Sequence, residues 1–111
     1  MIVHNPEIIS RWIVAFIMLA GGVINTVGIN TVRQEFLRWG LKDWIRIAVG
    51  IIELVIAVLL ITNSYVIPAL SLAALLMFAA VLIILFHREY SRAWVPGVIW
   101  FLTLLSLSFL I

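Results

Sequence analysis

Four stretches of this chain, residues 12–29, 44–62, 65–86 and 94–111, are each long and apolar enough to cross a bilayer. A transmembrane helix takes roughly 17–25 residues, so these stretches restrict the possible folds more than any other feature. In hydrocarbon an unpaired amide or carbonyl has no water to bond, and only helices and closed barrels can span. None of the stretches alternates polar and apolar residues as a barrel strand does. The expected fold is an all-α membrane protein, one four-transmembrane-helix bundle over residues 1–111. Composition agrees. The chain is 66% hydrophobic and 11% charged, against about 25% charged in soluble domains, which leaves no room for a separate soluble domain. Pro6 and Glu7 precede the first apolar run and no small-residue cleavage site follows it, so the first span is expected to be retained.

The connections differ in character. Thr62, Asn63 and Ser64 make a minimal turn, so the second and third spans form a tight antiparallel hairpin. The loop at 87–93 (HREYSRA) is short and charged. The first loop is longer and carries its own pattern. Thr31 and Gln34 are spaced as a capping box. Val32, Phe36 and Trp39 share one helical face, with Arg33, Glu35 and Arg38 off it, and Gly40 can end the helix. The spacing predicts a short interfacial helix over 32–39, with Arg33 and Arg38 toward lipid head groups or a partner. Asp43 is then placed to cap the second span.

With four spans, the first and third loops share one side. Arg33, Arg38, Lys42, Arg46, Arg88 and Arg92 fall there, whereas Arg11 and the amino terminus fall on the other. Positive charge marks the cytoplasmic face, so both termini are predicted outside. Trp39, Trp44, Tyr90 and Trp94 form an inner aromatic belt; Trp12 and Tyr65 lie at the outer side. The partner implied by all of this is the lipid bilayer.

Within the second span stands one carboxylate, Glu53, among apolar and glycine neighbours. Counted from Asp43 it lies ~15 Å along the helix, the midpoint of a ~30 Å hydrocarbon layer. A charge there costs roughly 2.5 kcal/mol or more, so such residues face protein and have a partner or a task. Gly50 and Ala57 share the Glu53 face and let a neighbouring helix approach closely, as do Gly21 and Gly22 of the first span. Matching depth along the spans gives a candidate polar pocket: Asn25, Arg46, His87, Trp100 and Thr103, leading from the basic surface toward Glu53. Each has a plainer reading, as an inter-helix hydrogen bond, an interfacial residue or packing.

Other chemistries are excluded by what is missing. Cysteine is absent, which removes disulfides, thiolate nucleophiles and iron–sulfur ligation. Two histidines, His4 and His87, are too few for an all-protein metal site, and none is expected. A net charge of +2 gives no case for nucleic acid.

These anchors give the chain a resemblance over nearly its whole length. Four spans, an AGGVIN segment ending the first helix, a loop of the FLRWGLKDW type, the Gly50-Ile-Ile-Glu53-Leu54 run and a third helix ending at His87 resemble the DoxX-like family of small four-helix integral membrane proteins. Family members often carry lysine where Asn25 stands here. The resemblance implies a bacterial or archaeal cell membrane, and some members are subunits of membrane oxidoreductases such as thiosulfate:quinone oxidoreductase. Three functional expectations follow. The first is a non-catalytic subunit of a larger membrane assembly. No cofactor would be bound covalently, and a quinone would lie near Glu53, where Asn25, Trp100 and His87 could bond its head group. The second is a purely structural or assembly protein, with other membrane subunits, or a homo-oligomer, as partners. The third is a small proton-coupled exporter; the small multidrug exporters carry their glutamate in the first span and lack this charge bias, so this ranks last.

Overall fold

The structure, a computed structural model, describes residues 6–110, with side chains from Ile8 onward. His4, the amino-terminal charge and Ile111 lie outside the described residues. The chain is all-α: α1 (Pro6–Val27), α2 (Asn30–Arg38), α3 (Asp43–Ile61), α4 (Val66–Phe86), a 3-10 turn at Tyr90–Arg92, and α5 (Trp94–Ser108). Three helices, with apolar cores at Ile8–Val27, Asp43–Ile61 and Val66–Phe86, are long and apolar enough to cross a membrane. The fourth apolar helix is shorter than the stretch expected at 94–111. It stops at Ser108, whose hydroxyl donates to the Leu105 carbonyl at 2.6 Å. The first helix, by contrast, begins earlier than residue 12, with Pro6 in a first-turn position where its missing N–H costs nothing.

Burial is inverted relative to a soluble bundle. Phe16 is 72% exposed and Phe86 83% exposed, whereas the wholly buried side chains of α5 include Thr103 and Ser106. A helix that turns its small polar residues inward and its large apolar ones outward is matched to lipid. The longest dimension, 46 Å, is comparable to the ~40–45 Å of a bilayer with its head groups.

Two antiparallel pairs dominate the packing, α1 with α3 and α4 with α5. In the first pair Arg11 meets Asn63, Gly21 meets Glu53 and Thr26 meets Gly50, so one chain ascends as the other descends. The expected α3–α4 hairpin exists but is the looser contact. Its helices both feed the core near their turn, Ile56, Ala57 and Leu60 from α3 and Ala69, Leu70 and Ala73 from α4. Toward α2 the space between them is a cavity.

Left-handed residues end most of the helices. Gly28 (φ +72°) closes α1, its N–H donating to Ile24 O at 3.0 Å. Gly40 (φ +76°) closes α2, with Gly40 N–H on Leu37 O and Leu41 N–H on Phe36 O, a Schellman pattern. Asn63 and Arg88 make the same pattern after α3 and α4.

Two expected caps are not formed. The residue before α2 is Ile29, without a side-chain cap. The helix starts one residue before Thr31, which therefore lies inside the first turn, and the Thr31–Gln34 capping box has no boundary to close. Asp43 is likewise the first residue of α3 rather than its cap. Its carboxylate takes the Arg46 guanidinium (Nε–Oδ1 3.0 Å, Nη2–Oδ2 3.2 Å). A charge-assisted pair outcompetes a neutral amide for the same oxygens.

A buried carboxylate at the head of an apolar cleft

Glu53 is only 5% exposed and faces α1. Three glycines allow this. A Cβ on Gly21 would sit 2.8 Å from Glu53 Oε2, on Gly22 it would sit 2.9 Å from the Leu54 amide, and on Gly50 2.7 Å from the Thr26 amide. The contacts at Gly22 and Gly50 are with backbone and cannot be relieved, so α1 and α3 reach this separation only because those two positions lack side chains, while a Cβ on Gly21 would displace the Glu53 carboxylate. The buried Ala57 extends the same face one turn on.

At that separation the Asn25 side-chain amide donates to Glu53 Oε1 at 2.5 Å. The backbone carbonyl of Asn25 accepts from Arg46 Nη1 at 2.5 Å, and the Thr26 carbonyl accepts from the same nitrogen at 3.3 Å. Those carbonyls belong to the last turn of α1, which has no helical partners for them, so Arg46 completes that helix end while lying over Gly28. Arg46 is 1% exposed and neutralised by Asp43. Asp43, Arg46, Asn25 and Glu53 thus form a connected polar chain from the helix ends to the bundle interior. Glu53 itself bonds an amide and pairs with no cation among the described residues.

Beyond Glu53 lies a cavity of about 210 Å³ between α3 and α4. Ile45, Val49 and Glu53 form one wall and Leu76, Met77, Ala80 and Ile83 the other; Asn25, Phe36, Trp39 and Leu41 close it. A cavity of roughly 150 Å³ accepts benzene, so this one suits a single substituted ring. Its walls are apolar, with the Asn25–Glu53 pair as the polar end.

The other expected pocket residues are elsewhere. His87 Nδ1 lies 2.9 Å from the carbonyl of Ile83 and its ring stands edge-on to Phe86. Trp100 packs on Phe78, on the α5 side of α4, with centroids 5.6 Å apart. Thr103 is fully buried but its hydroxyl donates to Trp100 O in its own helix. None of the three lines the cavity. Sequence reasoning missed Phe36, Trp39 and the α4 wall as part of the site, and Gly28 as the seat of Arg46. The small residues Ala79 and Ala80 were the available signal, though they are easily read as ordinary packing.

Phe36 and Trp39 are held in place from outside. Glu89 accepts from Arg38 Nε (2.8 Å), Arg38 Nη2 (2.7 Å) and Trp39 Nε1 (3.0 Å). Arg92 pairs in the reverse direction with Glu35. The Arg38 hydrogen bonds hold the Glu89 carboxyl below the usual carboxylate range, and Glu89 raises Arg38 in return. Two expectations are corrected here. Arg38 is engaged within the chain rather than with head groups. Glu35 lies on the half-buried stripe with Val32, Phe36 and Trp39, because Arg92 neutralises it there.

A set of outward apolar helices, joined by small residues and enclosing one carboxylate, defines an integral multi-pass membrane protein. The sequence matches the DoxX-like family over residues 9–107, and the chain belongs to that family. No curated protein and no solved structure matches it.

Proposed function

We propose that this DoxX-like protein is a non-catalytic membrane subunit that holds a quinone-class ring in the cleft between α3 and α4. The observation that carries the reading is the cavity itself: ring-sized, apolar along its walls and polar only at Asn25 and Glu53. Few precisely placed polar groups in an apolar pocket are what orient such a ligand. Asn25 and Glu53 would bond a ring oxygen or hydroxyl, Phe36 and Trp39 would cover the ring, and Ala79 and Ala80 leave it room. The bound quinone would supply the redox chemistry and a partner protein the electrons; the chain's own task is to bind, orient and exclude water. In this reading α5 completes a four-helix bundle, α2 lies in the cytoplasmic interface, and both termini are outside.

Gentle detergent extraction followed by solvent extraction of the purified protein tests it. A quinone should be retained by the wild type and lost from Ala80→Phe, which fills the cavity and leaves Glu53 untouched. Absence of quinone from the wild type, together with no Trp39-dependent fluorescence quenching by an added short-chain quinone, would overturn the reading. Co-purifying membrane proteins without quinone would favour the purely structural role.

A further inference from the structure

At the α2 end three carboxylates engage three cations, and three further cations are left over. Glu35 takes Arg92, Glu89 takes Arg38 and also lies 3.9 Å from Arg92, and Asp43 takes Arg46. Arg33, Lys42 and Arg88 are exposed and form no ion pair among the described residues. Arg33 acts on Asp43 only through space. The surplus is therefore local, confined to one end of a chain whose formal net charge is only +2.

Arg88 carries a second indication. It holds a left-handed backbone (φ +59°) at the end of α4. The equivalent positions after α1 and α2 are Gly28 and Gly40, the residue that takes this conformation without strain. At α4 a cation stands where glycine would fit better, so the local backbone does not account for it.

Lys42 and Arg88 lie two residues from the outward aromatic side chains Trp44 and Tyr90, and Arg33 is near enough to Asp43, beside Trp44, to act on its charge. Trp44 is 65% exposed, Tyr90 64% and Trp94 67%. Trp44 and Trp94 lie in the first turns of the apolar helices α3 and α5, which puts this ring at the edge of the hydrocarbon. Aromatic rings favour the head-group level of a bilayer, and unpaired cations there attract anionic lipid. We propose that Arg33, Lys42 and Arg88 form a collar that binds the head groups of anionic phospholipids in the leaflet on the α2 side. This binding is independent of what the α3–α4 cleft holds. An acidic protein would not need the exposed aromatics beside the cations, whereas a lipid head group with its acyl chains engages both.

The test uses the full-length protein in vesicles of one-quarter phosphatidylglycerol in phosphatidylcholine. Spin-labelled lipid of each kind reports the fraction held at the protein surface. Phosphatidylglycerol should be preferred, and each of Arg33→Gln, Lys42→Gln and Arg88→Gln should lower the preference by up to about fivefold, the worth of one cation at an anionic surface. The triple substitution should abolish it. Salt near 1 M should erase the preference by screening. No preference in the wild type, or its survival in the triple variant with α-helical circular dichroism intact, overturns the proposal. If the triple variant does not fold, the three single variants decide alone, and unchanged preference in all of them overturns it. Loss of the lipid preference in excess inorganic phosphate at constant ionic strength would overturn a lipid site in favour of a free-anion site, and a preference restored by an acidic peptide partner alone would transfer it to protein.

Discussion

Glu53 and Asn25 show what one pair of residues contributes. The carboxylate has left water and has gained one short hydrogen bond from a neutral amide. Removing one partner strands the other in a buried place, which costs more than the bond itself contributes. Glu53→Leu should therefore lower stability by ~1–3 kcal/mol, while Glu53→Gln, whose carbonyl can still accept from Asn25, should cost ~1 kcal/mol or less. Glu53→Leu combined with Asn25→Leu should recover much of the loss. Thermal unfolding in one detergent checks the series. Equal stability of Glu53→Leu and the wild type would show that the bond contributes nothing. At this scale the carboxylate was legible from sequence, because nothing else in its span is charged below Arg46. Its partner was only half legible. Depth counted along a helix gives a level and says nothing about rotation around the axis, so Asn25, Trp100 and Thr103 look alike until the helices are packed.

Among the elements, α2 is the one whose position depends most on charge. None of its residues is fully buried, and its hold on the bundle runs through Glu89 and Arg92. Glu89 has a lowered pKa, so its contribution is complete above the ordinary carboxylate range, near ~4.3, and is lost as pH falls through the lower folded value. A spin label on Leu37→Cys, in a chain with no native cysteine, should gain mobility on acidification through that window. Glu89→Gln should show the high mobility already at neutral pH. A label equally immobile at all pH values would mean that apolar contacts alone seat α2. The existence of this helix and its end at Gly40 were readable, since both follow from local spacing and a left-handed glycine. Its start was not, because a one-residue shift removes Thr31 from the boundary. The clamp was also hidden: Glu35 and Glu89 are far apart in sequence, and nothing local tells an arginine to prefer a carboxylate in another loop over a head group.

For the whole molecule, the first and third loops are joined at one end by the Glu89 and Glu35 pairs, while Arg11 and Asn63 meet at the other. With the basic surplus at the α2 end, the proposed orientation puts that end in the cytoplasm. Cysteines introduced singly at Ser64 and Ser91 should label from opposite sides, Ser64 with an impermeant reagent outside intact cells. Labelling of Ser91 alone from outside would invert the assignment. The sequence alone determined that the chain is helical and membrane-embedded, roughly where its long helices lie, and that Glu53 is buried. Each of these follows from local composition, because lipid imposes the same demand on every spanning residue and backbone group. Tertiary structure decided the rest: that α1 pairs with α3, that α3 and α4 part to leave a cleft, and that Trp39 rather than His87 or Trp100 closes it. Those outcomes depend on how helices rotate and approach, which small residues permit and distant ion pairs select, and neither is written in the hydropathy of any one segment.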